Sequence, residues 1–140
     1  GENGVNTLQQ GDGLSTTTIV TNATIDAGYD GILVTATGGS QVTLTINEAI
    51  LADSDGADIE NLGVTADSWN RAYINAPVTG YRDGFDINHF GGGNTGVYLG
   101  EDAVLIGETR EGVDIEAFYT GSNILLQGAS NRIQGGLDGI

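Results

Sequence analysis

An eight-residue motif recurs at a fixed interval, and this repetition restricts the possible folds more than any other feature of the sequence. "DGADIENL" begins at Asp55, "DGFDINHF" at Asp83 and "EGVDIEAF" at Glu111, so the copies lie 28 residues apart without a gap. Each copy alternates apolar and polar residues, as a β-strand with one buried face does. A repeat of about 20–50 residues is typical of solenoids, in which each copy stacks on the previous one.

Looser copies of the motif extend the repeat over most of the chain. "DGLSTTT" begins at Asp12, "DGILVTAT" begins at Asp30, and "DGI" from Asp138 closes the sequence. The predicted coil starts are therefore residues 12, 30, 55, 83, 111 and 138. Variable intervals are expected where loops of different length join equivalent strands. We predict one domain over residues 12–140, preceded by a lead-in segment at residues 1–11.

Two further short apolar runs follow the motif in each repeat. The first occupies residues 44–46, 72–74, 97–99 and 124–126. The second occupies residues 49–51, 76–78, 103–106 and 131–133. Twenty-four glycines leave no segment with sustained helical spacing of apolar residues, so we expect almost no helix. Three strands per repeat predict an all-β fold, a right-handed, three-sided parallel β-helix of about five coils of 25–28 residues.

Alternation within the motif predicts which side chains face the core of such a solenoid. Equivalent residues of successive coils stack about 4.8 Å apart. One inward column should therefore contain the isoleucine of each copy: Ile59, Ile87 and Ile115. The aspartates beside these isoleucines should face outward: Asp58, Asp86 and Asp114.

The repeat pattern resembles the right-handed parallel β-helix proteins. The resemblance is greatest to the passenger segments of bacterial autotransporters and related secreted adhesins, and more distant to pectate-lyase-like enzymes. It covers residues 12–140 and rests on the repeated "DG", the three apolar runs and the turn residues Asn47 and Asn75. These two asparagines are similar to a short asparagine ladder of this fold, with Gly100 and Gln127 at the later equivalent positions. The resemblance implies a secreted, extracellular or cell-surface protein.

The chain is strongly acidic, with 19 acidic residues against four arginines and a formal charge of −15. Nucleic-acid binding is excluded as a default function because phosphate contacts need basic patches. An anionic membrane surface is disfavoured for the same reason, and no apolar run approaches the about 20 residues of a membrane helix. The chain has no cysteine, so neither disulfides nor thiolate metal sites are available.

The outward acidic row of the first sheet is the candidate metal site. It consists of Asp58, Asp86 and Asp114 together with Glu60 and Glu116. Oxygen ligands without compensating cations suit a hard ion such as Ca²⁺. The row is similar in placement to the acidic face that binds calcium and saccharide in pectate-lyase-like β-helices. A solvated acidic face without a ligand is the alternative interpretation. No cofactor is required, and calcium is the candidate.

The aromatic residues form a second candidate contact surface. Tyr73 and Tyr98 are predicted to be outward neighbours in adjacent coils, with Thr45 and Leu125 completing their column. Trp69 precedes this strand and is a further candidate contact. A pair of tyrosines on a flat sheet suits stacking on sugar rings or a protein partner, and it equally suits cross-strand stabilisation.

Catalytic signatures are weak throughout the sequence. His89 is the only histidine, its equivalents are Asn61 and Ala117, and we expect it at an outward or turn position without a catalytic role. The chain contains neither a GxSxG nucleophile motif nor a phosphate-binding loop with its lysine. We therefore name no catalytic residue and expect no enzyme.

These features favour a non-enzymatic structural module of an extracellular adhesin stalk or a self-assembling surface fibre. Solenoid ends expose backbone donors and acceptors, so we expect either that the chain is a segment of a longer array of coils or that its ends stack on other copies. The expected partner is accordingly another copy stacked head-to-tail, or a surface protein or glycan. The alternative is a calcium-dependent carbohydrate-binding or carbohydrate-cleaving β-helix that acts through the acidic first sheet. An ice-binding solenoid is a third possibility, for which the sequence offers a threonine array only in "STTT" at residues 15–18.

Overall fold

The computed structural model of the chain describes residues 1–10, 14–65, 67–118, 123–128 and 131–140. These residues form 15 β-strands in three parallel sheets and contain no helix. Accordingly, the described residues include no helix that is long and apolar enough to cross a membrane. The expected near-absence of helix is confirmed for this part of the chain.

Each coil contributes three strands. The first coil contains β1 (Val5–Gln9), β2 (Leu14–Thr21) and β3 (Ile25–Ala27). The second contains β4 (Ile32–Ala36), β5 (Gly39–Ile46) and β6 (Ile50–Ala52). The third contains β7 (Ala57–Asn61), β8 (Trp69–Ile74) and β9 (Val78–Gly80). The fourth contains β10 (Phe85–His89), β11 (Thr95–Leu99) and β12 (Val104–Gly107). The fifth contains β13 (Val113–Ala117), β14 (Ile124–Gln127) and β15 (Arg132–Gln134).

Every third strand belongs to the same sheet. The first sheet has the order β1-β4-β7-β10-β13, and the second and third sheets follow the same rule from β2 and β3. Each strand pairs in parallel with its equivalent one coil away. The predicted all-β, three-sided parallel solenoid is thus confirmed. Each sheet has five strands, and the chain makes about four full turns between the first and the last of them. This count is slightly below the about five coils expected from the sequence.

The first coil begins earlier than the motif alignment predicts. The segment at residues 1–11, expected to be a lead-in, contains β1, which pairs with β4. Asp12 lies outside the described residues, and the strand that follows it, β2, belongs to the second sheet. Asn3 takes the place of the motif aspartate in the first coil, since its Oδ1 accepts the Asp30 N–H at 3.3 Å. A "DG" pair marks a turn, and a turn can precede a strand of any of the three sheets. The pair alone therefore does not show to which sheet the next strand belongs.

The core consists of columns of apolar side chains that line the axis between the three sheets. Register pairs Ile87 with Ile59 and with Ile115, and the first two are fully buried while Ile115 is partly buried. Phe85 is also fully buried and lies in the neighbouring inward column, between Ala57 and Val113. Burial of each large apolar side chain contributes about 1.5–3 kcal/mol, so the predicted inward columns are a major stabilising feature.

An asparagine ladder follows the second sheet and begins one coil earlier than the sequence indicates. Asn75 Nδ2 donates to Asn47 Oδ1 at 2.8 Å, and Asn47 Nδ2 donates to Asn22 Oδ1 at 2.9 Å. Gly100 ends the ladder because it has no side-chain amide, and Asn75 Oδ1 lies only 2.6 Å from where a Cβ of Gly100 would be. Gln127 instead pairs with a tyrosine of the second sheet.

The two ends of the solenoid differ in the chemistry of their inward side chains. In the first coil, Gln9 Nε2 donates to the Ser15 hydroxyl, and the Thr17 hydroxyl donates to Gln9 Oε1. The first coil also directs the partly buried Val5, Ile19 and Ile25 inward. In the fifth coil Val113 is fully buried, whereas four other inward aliphatic side chains are only partly buried or are exposed: Ile115, Ile124, Leu126 and Ile133. Polar inward groups that satisfy one another suit a terminal coil, whereas exposed aliphatic groups favour a covering contact.

Candidate functional site

The aspartates that start the coils form an aspartate ladder, defined here as Asp30, Asp55 and Asp83. Each carboxylate Oδ1 accepts the backbone N–H of the equivalent residue one coil later. The acceptor-to-donor distances are 3.3 Å to Asp55 N, 3.1 Å to Asp83 N and 2.9 Å to Glu111 N. All three ladder aspartates are buried. The "DG" repeat is therefore explained by backbone hydrogen bonding between coils.

Two arginines partly neutralise the aspartate ladder. Arg82 Nη1 lies 3.5 Å from Asp55 Oδ2, and Arg110 Nη1 lies 3.2 Å from Asp83 Oδ2. Arg110 Nε also lies 3.3 Å from Glu111 Oε2. Because the arginine side chains are 39–45% exposed, solvent weakens both ion pairs. Replacement of Asp83 should destabilise the fold more than replacement of the other ladder residues. Asp83 is fully buried and has both a backbone N–H and a guanidinium as partners.

Replacing Asp83 tests the ladder. Asp83→Ala should lower the free energy of unfolding by about 1–3 kcal/mol, because the Glu111 N–H loses its acceptor and Arg110 loses its ion-pair partner. Asp83→Asn retains an Oδ1 acceptor and should lose less. Urea denaturation of both variants at neutral pH measures the difference. Equal losses in the two variants would contradict an acceptor role for Asp83.

The predicted metal ligands lie on the outward face of the first sheet, as expected. Two adjacent columns contain them: Asp58–Asp86–Asp114 and Glu60–Asn88–Glu116. The parallel register places each side chain beside its equivalent one coil away, about 4.8 Å along the axis. Like charges are thus stacked, which costs free energy unless protons or cations neutralise them.

Three carboxylates converge into an acidic cluster, defined as Asp55, Asp58 and Asp86. One oxygen from each lies within 4.8 Å of the others. Asp58 Oδ1 is shielded from solvent and has no hydrogen-bond partner among the described residues. Asp86 Oδ1 accepts a hydrogen bond from Asn88 Nδ2 at 3.1 Å. The cluster therefore combines close negative oxygens with one buried oxygen that lacks a donor.

The composition of the acidic cluster differs from the predicted ligand set. Asp114, Glu60 and Glu116 are not in the group of converging acidic oxygens found among the described residues. Glu60 Oε2 instead accepts the Thr35 hydroxyl at 3.2 Å. Asp55 was not among the predicted ligands. The signal that identifies it is the D-G-x-D spacing, which places a ladder aspartate three residues before an outward one.

Burial and mutual repulsion raise the pKa of the acidic cluster. Desolvation, followed by the charges of Asp86 and Glu60, raises the pKa of Asp58 to about 8. Desolvation, followed by the charge of Asp114, raises the pKa of Asp86 to about 7. Burial also raises the pKa of Asp55. A divalent cation would stabilise the ionised carboxylates, so proton release and cation binding are coupled here.

His89 lies in the core, which corrects the expected outward or turn position. Its side chain is fully buried and its Nδ1 lies 3.1 Å from Thr95 Oγ1. Burial lowers the pKa of His89, so the neutral imidazole is favoured. Asn61, its register partner, donates to Asn70 Oδ1 at 2.8 Å in the same buried polar corner. Two-residue alternation from Ile87 accounts for the inward position of His89.

The two tyrosines stack on the outward face of the second sheet. Tyr73 and Tyr98 are register partners whose ring centres lie 5.1 Å apart at an interplanar angle of 15°. Thr45 completes their column on one side, as predicted. On the other side the column contains Gln127, and the predicted Leu125 lies outward one pair of residues earlier. The apolar run at residues 124–126 is centred on Leu125, but β14 extends to Gln127, so Gln127 is the residue that pairs with Tyr98.

No protein-family model matches the chain, and neither does any curated protein or solved structure. The likeness to autotransporter passengers and pectate-lyase-like enzymes is therefore a resemblance of repeat pattern, and the structure supports it at the level of a three-sheet parallel solenoid. A fold of this kind supports many unrelated activities. Function is consequently inferred from the ends, the acidic cluster and the outer faces of the described coils.

Proposed function

We propose that this chain is a non-enzymatic structural module of an extracellular adhesin stalk or a self-assembling surface fibre. The observation that carries the proposal is the unbroken parallel pairing of five strands in each of three sheets. Main-chain hydrogen bonds and side-chain columns all run along one axis, which favours a stiff rod. The repeat-pattern resemblance to autotransporter passengers and secreted adhesins supports the same role and a secreted location.

The proposed partner is another copy of the chain stacked on the fifth coil. Ile124 is 48% exposed there although it points toward the axis, and Leu126 is also incompletely buried. A stacked coil would cover these aliphatic side chains and would pair the free edges of β13, β14 and β15. Hydrophobic burial and strand pairing thus favour the same axial contact.

Axial stacking predicts assembly that depends on concentration. The purified protein should form filaments visible by electron microscopy as its concentration rises. Ile124→Asp places a charge in the stacking surface and should raise the concentration needed at least tenfold, or about 1.4 kcal/mol. Leu125→Asp is the matched control, because Leu125 is similarly exposed, at 47%, but faces outward. Monodisperse monomers or closed dimers at every concentration would contradict a fibre.

Calcium-dependent carbohydrate binding or cleavage through the first sheet is a second candidate function. The observation that favours it is the convergence of the acidic cluster within 4.8 Å, together with the buried, unpartnered Asp58 Oδ1. Calcium binds oxygens at about 2.3–2.6 Å, so two oxygens on one ion lie at most about 5 Å apart. The separation of the carboxylates therefore suits a shared Ca²⁺.

Calcium should stabilise the folded protein if the acidic cluster is a site. At a concentration one hundred times its Kd, Ca²⁺ should add about 2.7 kcal/mol and raise Tm by several degrees at pH 8. Asp58→Asn removes a ligand oxygen and should abolish the increase. Asp114→Asn, which changes an outward aspartate outside the cluster, should retain it. Unchanged thermal melting of the unmodified chain with Ca²⁺ would contradict the site.

A further inference from the structure

A groove of about 550 Å³ lies on the outer face of the second sheet. We call it the aromatic groove; the lining residues that matter most are Trp69, Arg71, Asn94, Gly96, Tyr98 and Asn123. It shares no residue with the acidic cluster. Its volume falls within the about 300–1,000 Å³ typical of sites for small ligands. Nothing in the scaffold role requires such a concave, aromatic-lined surface.

Gly96 forms the floor of the aromatic groove. Its register partners are Arg71 on β8 and Leu125 on β14. This outward column therefore has two long side chains with no side chain between them. A Cβ added at Gly96 would meet ring atoms and the hydroxyl of Tyr98 at 3.0–3.3 Å. The missing side chain therefore creates the depression and lets the Tyr98 ring lie across it.

Trp69 and Arg71 form one wall of the aromatic groove. The guanidinium carbon of Arg71 lies 4.5 Å from the Trp69 ring centre, an arrangement that orients the planar cation. The ion pairs among the described residues involve Arg82 and Arg110 and leave Arg71 without a carboxylate partner. Although the chain has a net charge of −15, no carboxylate of the described residues pairs with Arg71, so its N–H groups can donate to a ligand.

The remaining lining residues define the chemical class of the ligand. Asn94, Asn123 and Gln41 line the groove with side-chain amides, a group that can both donate and accept hydrogen bonds. Asn123 Nδ2 donates to Asn94 Oδ1 at 2.9 Å, which fixes both amides and leaves Asn94 Nδ2 and Asn123 Oδ1 for a ligand. Gln41 Oε1 accepts the Thr16 hydroxyl at 3.5 Å. A pyranose sugar has an apolar C–H face that suits an aromatic ring and a rim of hydroxyls that suits these amides. Arg71 and Asp67 balance in charge within the lining, and the acidic surface of the whole chain repels polyanions. The groove thus matches a neutral saccharide.

We propose that the aromatic groove binds a neutral saccharide chain. One sugar ring lies against Tyr98. Its hydroxyls accept hydrogen bonds from Arg71 and Asn94 Nδ2, and one hydroxyl donates to Asn123 Oδ1. The site occupies a sheet face, whereas assembly uses the end of the fifth coil, so the inference does not depend on fibre formation. A rod with this site would attach to a glycan-covered surface through its side.

Tryptophan fluorescence reports on the aromatic groove directly, because Trp69 is the only tryptophan in the chain. The intact protein is titrated separately with cellohexaose, xylohexaose, mannohexaose and maltohexaose, and with polygalacturonate as the anionic comparison. At least one neutral hexasaccharide should produce a saturable change in fluorescence. Polygalacturonate should produce none.

Variants separate binding from folding. Gly96→Thr fills the floor with a residue that strands favour, and its close contacts are with the movable Tyr98 ring. It should keep or raise Tm while it weakens binding at least tenfold, and Tyr98→Ala should weaken binding similarly. Tyr81→Ala removes an exposed tyrosine outside the groove and should leave affinity unchanged. The proposal is overturned if no neutral hexasaccharide gives a saturable response, if polygalacturonate alone binds, or if Gly96→Thr binds as the unmodified chain does.

Discussion

Replacing Ile87 with aspartate should abolish folding of the chain. Ile87 is fully buried between Ile59 and Ile115 in the inward column of the first sheet. The change forfeits apolar burial worth about 1.5–3 kcal/mol and places an unpaired charge in the core at a cost of several kcal/mol more. Together these losses are comparable with the whole stability of a domain, about 5–15 kcal/mol. Circular dichroism should show that cooperative thermal unfolding is lost.

Two milder substitutions control for the position. Asp86→Asn changes the adjacent, outward residue and should leave the fold intact. Ile87→Val keeps an apolar side chain and should cost about 0.5–1.5 kcal/mol. If Ile87→Asp unfolded cooperatively at a Tm close to that of the unmodified protein, the inward placement of Ile87 would be wrong.

The second large effect is a loss of stability between about pH 4 and pH 8 in the absence of divalent cations. In the unfolded chain an aspartate loses its proton near its ordinary pKa of 3.8. In the folded chain the pKa of Asp58 is about 8 and that of Asp86 is about 7. The folded state then binds more protons than the unfolded state across this interval, so the free energy of unfolding falls as pH rises. The expected loss is several kcal/mol, at about 1.4 kcal/mol per tenfold change in proton affinity, reduced by partial solvent exposure of both side chains.

Asp58→Asn isolates this effect. The variant should be more stable than the unmodified chain at pH 8 and similar to it at pH 4, because the amide carries no charge at either pH. Urea denaturation at several pH values measures both proteins. The lowered pKa of His89 acts in the opposite direction and is common to both, so the difference between them reports on Asp58. A parallel pH dependence in the two proteins would contradict the desolvated carboxylate.

The sheets and the inward columns could be predicted because they follow from local alternation and one constant interval. Ile59, Ile87 and Ile115 are 28 residues apart, so their stacking follows from the period alone. The first coil escaped prediction for a physical reason. Its strand β1 has no "DG" start, and it directs Gln9 inward where the next coil has Ala36. Only its pairing with β4 identifies β1 as the first strand of the first sheet.

The sites could be predicted only in part, because they combine residues from turns with residues from strands. Asp58 and Asp86 follow from the register, whereas the approach of Asp55 depends on the turn before β7. The aromatic groove requires Gly96 to lie opposite Leu125, and this pairing depends on the register of β14. Apolar runs locate a strand but leave its register open by a residue or two.

Successive copies of one motif lie directly over each other along the solenoid axis. Nuclear Overhauser effects between isoleucine methyl groups in an otherwise deuterated sample measure this contact. Strong cross-peaks are expected from Ile87 to Ile59 and from Ile87 to Ile115, and none of similar strength between Ile59 and Ile115, which are about 9–10 Å apart along the axis. Absence of both Ile87 cross-peaks in the folded protein would contradict the stacked solenoid.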